Sequence, residues 1–240
     1  VLRLRTGTPQ IPNTDLIVTS PGGFDCAAFN QTIQSLSGTG NLPTSGSGTH
    51  TIADTASTVF SGVWSGSGRI NVSKLGGTGT LTIDGVNTAS GRFTLTDGTV
   101  TVNSGKALCG PVCDLFVNGG VLNFNNTAQT IENLSGTGGT INLTAGLALI
   151  SDPIASTTCS SAIAGAGGLT KLNANATTRT LTLNGANSYD GVTTVTKGII
   201  SVGSATALGT TVGNTVVEGT GPGEILFTGA TTTFTCAEPF

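Results

Sequence analysis

The sequence predicts an all-β chain wound as a right-handed parallel β-helix, a β-solenoid forming a single domain over residues 1–240, and three observations predict it. First, words recur at long range: TLTIDGVN at 80–87 returns as TLTLNGAN at 180–187, and QTIQSLSGTG at 31–40 returns as QTIENLSGTG at 129–138. Second, the apolar runs are short and alternate with polar residues, as in LTI at 81–83, FTL at 93–95, VTV at 100–102, VLNF at 121–124, INL at 141–143 and LTL at 181–183. Alternation of period two puts one side of each strand in a core. Third, insertions between the anchors fall in Gly, Asn and Thr stretches while the apolar segments keep their length. Sandwiches and barrels do not require internal repeats, whereas stacked coils do. Parallel crossovers wind right-handed. A coil of roughly 20–25 residues makes the hundred-residue module four or five coils, and the whole chain about ten coils, on the order of 50 Å at a strand spacing of about 4.8 Å.

Taken in chain order, residues 1–30 are an N-terminal strand and end coil. VLRLR alternates before Pro9 and Pro12, and FDCAAF at 24–29 leads into the first repeat. Residues 31–128 form repeat 1, whose strands are punctuated by Asp84–Gly85, Asp97–Gly98 and Asn118–Gly119–Gly120, pairs that favour tight turns. Residues 129–228 form repeat 2. Its one weakly helical window, 145–156, is stopped by Pro153. Residues 229–240 form a C-terminal end coil in which FTCAEPF resembles FDCAAF and breaks off where an NQTI segment would follow.

Composition narrows the function. Charged residues are only 9% of the chain, against about 25% in ordinary globular proteins. The net charge is −3 and the Lys and Arg are scattered, so no basic stripe exists to follow phosphates, and nucleic acid is excluded as a partner. No run approaches the ~18 apolar residues of a membrane-spanning helix. A start at Val1 with no Met in the chain leads to the expectation of a mature product whose start codon and export signal are gone. Five Cys without C-x-x-C spacing fit an oxidising compartment. Cys109 and Cys113 bracket Gly-Pro-Val and are the candidate disulfide.

GAGGLTK at 165–171 followed by TLTLNGANSYDGVTTVTKGIISVGSATALG at 180–209 resembles the autotransporter-associated β-strand repeat, also called the passenger-associated transport repeat. A weaker copy runs from Ser73 to Gly110; Tyr189 fits the family's pattern, and Ala89, at the matching place, departs from it. The resemblance implies a right-handed parallel β-helix displayed outside a bacterial cell, with these repeats as scaffold. The five Cys and the lack of a terminal barrel depart from the usual passenger.

The residues offer little chemistry. Asp84, Arg92 and Asp97 are the nearest approach to a carboxylate–arginine set for polysaccharide cleavage, and the second copy replaces them with Asn184, Val192 and Lys197. His50, the sole histidine, lacks a nucleophile motif beside it, because GVWSG at 62–66 is followed by no strand-to-helix elbow. GGTGTLTID at 76–84 places Asp84 too late for a calcium nonapeptide. The expectation is therefore no catalytic residue, no cofactor, no metal and no enzyme. Trp64 is the candidate platform for a glycan, with a core or cap position as the other reading. Subunits stacking head to tail would meet at a junction whose candidates are Cys26, Cys236, Phe240, Val1, Leu2 and Leu4. The leading expectation is a structural subunit of an extracellular filament on a bacterial surface. A passenger segment of an adhesin binding glycans or matrix comes second, and a polysaccharide-active β-helix enzyme third.

Overall fold

A computed structural model describes residues 2–3, 11, 14–26, 28–53, 56–73, 78–103, 105–125, 128–144, 148–151, 154–172, 178–218 and 223–227. These contain strands and turns and no helix, and all of their strand pairings are parallel. The window with Pro153, weakly helical by sequence, contributes the strand Ala148–Ser151, while Pro153 itself lies outside the described residues.

Alternation in sequence becomes alternation in burial. Thr80–Ile83, Thr99–Val102, Val121–Phe124 and Thr140–Leu143 each bury their second and fourth residues. Residues paired between strands are 19 apart at the closest, as at Thr80↔Thr99, and up to 25 apart at Gly198↔Gly223, so each coil is one turn of a stack.

The chain winds over three faces in a fixed order. Face one carries a six-stranded sheet from Gln31–Ile33 to Asn133–Ser135. Through the bridge Gly136↔Cys159 it continues into a four-stranded sheet comprising Thr157–Cys159, Thr180–Leu183, Gly198–Val202 and Gly223–Phe227. Face two is one nine-stranded sheet from Asp15–Val18 to Ser188–Tyr189. Its eight steps correspond to roughly 38 Å of rod at about 4.8 Å per strand, fewer turns than the ten expected from coil length alone. Face three has Leu42–Thr44 paired with Trp64–Gly66, then a gap spanned by the bridge Val86↔Ala107, then five strands from Gln129–Ile131 to Thr215–Val217.

This winding corrects the hundred-residue module. Thr80–Ile83 lies on face two, whereas its copy Thr180–Leu183 lies on face one; Gln31–Ile33 lies on face one, whereas its copy Gln129–Ile131 lies on face three. Both copies have moved the same way, two faces onward beyond a whole number of turns. The structural repeat is the coil, and the words recur on rotated faces because the three faces offer a strand similar surroundings.

Inside the stack, like residues pile into columns. Leu81, Val100, Leu122, Ile141 and Ile163 occupy successive rungs, each 0% exposed. Burying each such side chain contributes about 1.5–3 kcal/mol. At one corner the backbone itself closes the spacing: a Cβ on Gly62 would sit 1.8 Å from the Gly40 carbonyl oxygen, and one on Gly85 1.9 Å from that of Gly62. Only glycine fits there. Gly62→Ala is therefore expected to cost about 1–3 kcal/mol or more by overpacking. Gly105→Ala meets nothing within 4 Å and bears only the strain of φ +70°, about 1–2 kcal/mol. Denaturant unfolding of the two variants would show the larger loss at Gly62.

Candidate functional site

Several outward polar side chains bond to a neighbouring coil. Asn142 donates its amide to the Asn123 side chain at 2.7 Å, and Asn123 donates to the Thr101 hydroxyl at 3.3 Å. Asn103 donates to Asp84 at 3.2 Å, Asn133 to Asp114 at 2.7 Å, Thr210 to Asp190 at 2.6 Å and Ser35 to Asp15 at 2.7 Å. Asp84 and Asp190 thus bond across coils, and Asp97 alone of the three turn aspartates accepts from its own turn, at Gly98 N–H. Arg92 lays its guanidinium 4.0 Å from the centroid of the Phe116 ring, a cation–π contact on face one.

A second set of amides is buried and repeats with the words. The Asn87 side chain donates to the Ala107 carbonyl at 3.0 Å and accepts from Trp64 N–H at 3.0 Å. Asn187 does the same to the Ala207 carbonyl at 2.6 Å and from Ile163 N–H at 2.9 Å. Gln129 accepts from Leu108 N–H at 2.9 Å and donates to the Cys109 and Thr130 carbonyls, while Gln31 accepts from Ile11 N–H at 2.9 Å. These amides hold coils together where the ladder is interrupted. The signal for them in the sequence is that each amide recurs in both copies of its word, Gln31 as Gln129 and Asn87 as Asn187.

Trp64 is a core residue. It is 0% exposed, lies 5.7 Å from Phe60 and 6.0 Å from Phe93 between ring centroids, and donates its indole N–H to the Leu108 carbonyl at 2.6 Å. It has no face to offer a sugar. The other copy solves the same problem differently, with the Thr193 hydroxyl reaching the Leu208 carbonyl and the buried Tyr189 hydroxyl bonded to Thr193. Cys109 and Cys113 form the disulfide that their bracket implied, with Cα atoms 6.2 Å apart, at the edge of the gap in face three. That gap holds a groove of about 330 Å³ bordered by Val86, Thr88, Pro111 and Thr130.

Of the junction candidates, Cys26 is fully buried, and its thiol is pushed up to about 12, chiefly by desolvation and then by Asp25. It is closed to a neighbouring subunit in this fold. Leu2–Arg3 pairs with Phe24–Asp25 of its own chain. Val1, Leu4, Cys236 and Phe240 lie outside the described residues, as does the end coil at 229–240. Cys159 is likewise buried, and its thiol is raised by desolvation. Lys171, which the sequence did not single out, is fully buried, with its ammonium donating to the Leu172 and Lys197 carbonyls.

His50 is buried beside Asp25, whose carboxylate accepts from the Ser45 hydroxyl at 3.3 Å. Desolvation lowers His50 to about 4, against the opposing pull of Asp25. Its Nδ1 has no hydrogen-bond partner. Among the described residues no group of three or more metal-ligating side chains occurs, and no helix long and apolar enough to cross a membrane, a statement that leaves β-barrels aside. Comparison with known proteins returns no match, whether to a family model, a characterised protein or a solved structure.

Two outcomes follow. Asn187→Ala leaves Ile163 N–H and the Ala207 carbonyl buried without the partner they had, so it should cost about 2–5 kcal/mol in an unfolding titration, with Asn87→Ala similar. For His50 the folded value lies below the unfolded one of 6.5, so the unfolded chain binds the extra proton. Stability is then complete above pH 6.5 and falls by up to about 3 kcal/mol as pH drops to about 4. His50→Leu should flatten this slope in melts run across that window.

Proposed function

We propose that this chain is a non-enzymatic structural β-solenoid that works outside a bacterial cell, as a rod whose copies stack head to tail into a filament or fibre. The observation that carries the reading is the commitment of outward Asn, Asp, Ser and Thr side chains to the neighbouring coil. These bonds tie each coil to its neighbour and stiffen the rod. A parallel stack also templates its own extension, since each coil presents the next with a full row of backbone donors and acceptors. A head-to-tail contact between identical copies is heterologous and does not close, so it propagates.

The resemblance to autotransporter-associated repeats supports the extracellular, bacterial part of this reading. It also keeps a second reading, a passenger segment of an adhesin, in which the same rod serves as a spacer and the glycan contact lies elsewhere than at Trp64.

Electron microscopy of the full chain at neutral pH, with and without reductant, tests the proposal. Unbranched fibres with an axial repeat of roughly 40–50 Å are expected, at about 4.8 Å per coil. Because Cys109 and Cys113 pair within the chain and Cys26 and Cys159 are buried, fibres lost on reduction would assign an intersubunit disulfide to Cys236, and fibres that survive would show a junction held without one. Single rods persisting at high protein concentration would overturn the filament.

A further inference from the structure

The three faces differ in what they turn outward. Face one carries Arg69, Arg92, Asp97 and Asp114 and a register shift between Val72 and Ser73. Face two, from Ser35–Gly38 to Ser188–Tyr189, contains no charged residue, and no register shift interrupts its middle rungs. Its outward positions form two parallel rows. Thr80, Thr99, Val121 and Thr140 make one, and Thr82, Thr101, Asn123 and Asn142 make the other, all partly exposed.

The rows form a lattice with a spacing of about 4.8 Å along the rod and about 6.7 Å along each strand. Hydrogen-bonded water with O···O separations of about 2.7–2.8 Å and tetrahedral angles places second neighbours roughly 4.5 Å apart. The mismatch of about 0.3 Å per rung amounts to only about 1 Å across these four rungs. Threonine suits such a lattice, because each side chain gives one methyl and one hydroxyl on a stiff χ1. The hydrogen bonds from the Asn142 amide to Asn123 and from the Asn123 amide to Thr101 fix the second row before any ligand arrives.

We propose that this uncharged Thr/Asn face binds the surface of ice. A crystalline polysaccharide has a comparable repeat, but sugar rings dock on exposed aromatic faces, and this face turns none outward. The chain's single Trp and single Tyr are both 0% exposed.

The full-length chain would be assayed for ice recrystallisation inhibition and for adsorption to a growing ice surface, beside Thr101→Lys on face two and Thr94→Lys on face one. Melting temperatures of the variants would confirm that both remain folded. The expected result is activity in the parent chain, at least a tenfold loss of potency in Thr101→Lys, and a change within twofold in Thr94→Lys. An inactive parent chain overturns the proposal, as does an equal loss from Thr94→Lys. Retention on crystalline cellulose or chitin that Thr101→Lys abolishes, without ice activity, reassigns the face to polysaccharide and also overturns it.

Discussion

Everything in this molecule depends on the in-register pairing of each coil with the coil before it. A strand in such a stack has no freedom to choose its neighbours: its backbone must meet another backbone at about 4.8 Å on both sides. Side chains above and below one another must then be alike in size, and the column from Leu81 to Ile163 is the outcome. Where the chain turns a corner the same demand falls on the backbone, and Gly40, Gly62 and Gly85 succeed one another because any Cβ would strike the carbonyl of the coil below.

The same constraint explains how much could be foreseen from sequence. Alternation in TLTI, TVTV and VLNF is a local property, so strands, inward residues and coil length were legible, and the Cys109–Cys113 bracket was legible from its turn. The rotation of the repeated words was not, because an offset near 100 looks like a whole number of coils until the coil lengths, between 19 and 25, are known one by one. Nor was the fate of Trp64, whose burial depends on Phe93 from a later coil as well as on Phe60 four residues before it. The amide of Asn87 has the same opacity: its partners Trp64 and Ala107 are 23 and 20 residues away.

Buried polar groups mark the places where the ladder fails. Between Trp64–Gly66 and Gln129–Ile131 the described residues of face three contain no strand, only the bridge Val86↔Ala107 and the disulfide loop. There Asn87 and Gln129 supply donors and acceptors that a strand would have supplied from its backbone, and Trp64 satisfies the Leu108 carbonyl. An unmet backbone group in that interior would cost about 1–3 kcal/mol. These side chains are therefore part of the ladder by other means, which accounts for the persistence of Asn87 as Asn187 and of Gln31 as Gln129.

Low charge also follows from stacking and is a poor guide to function by itself. A charged residue at an outward rung has its counterparts about 4.8 Å away, well inside the Debye length of about 8 Å at physiological salt, so a row of like charges would repel along the whole rod. Arg69 and Arg92, on adjacent rungs of face one, are an exception with visible relief: Arg92 rests on Phe116 and the following rung carries Asp114. From Ser35–Gly38 onward face two avoids the difficulty with neutral residues such as Thr, Asn, Val and Ala. Neutral rows that repel nothing and bond along the rod satisfy the fold's own electrostatics, and they leave a flat, regular surface whose repeat is set by the backbone. A ligand that shares that repeat can meet every rung at once.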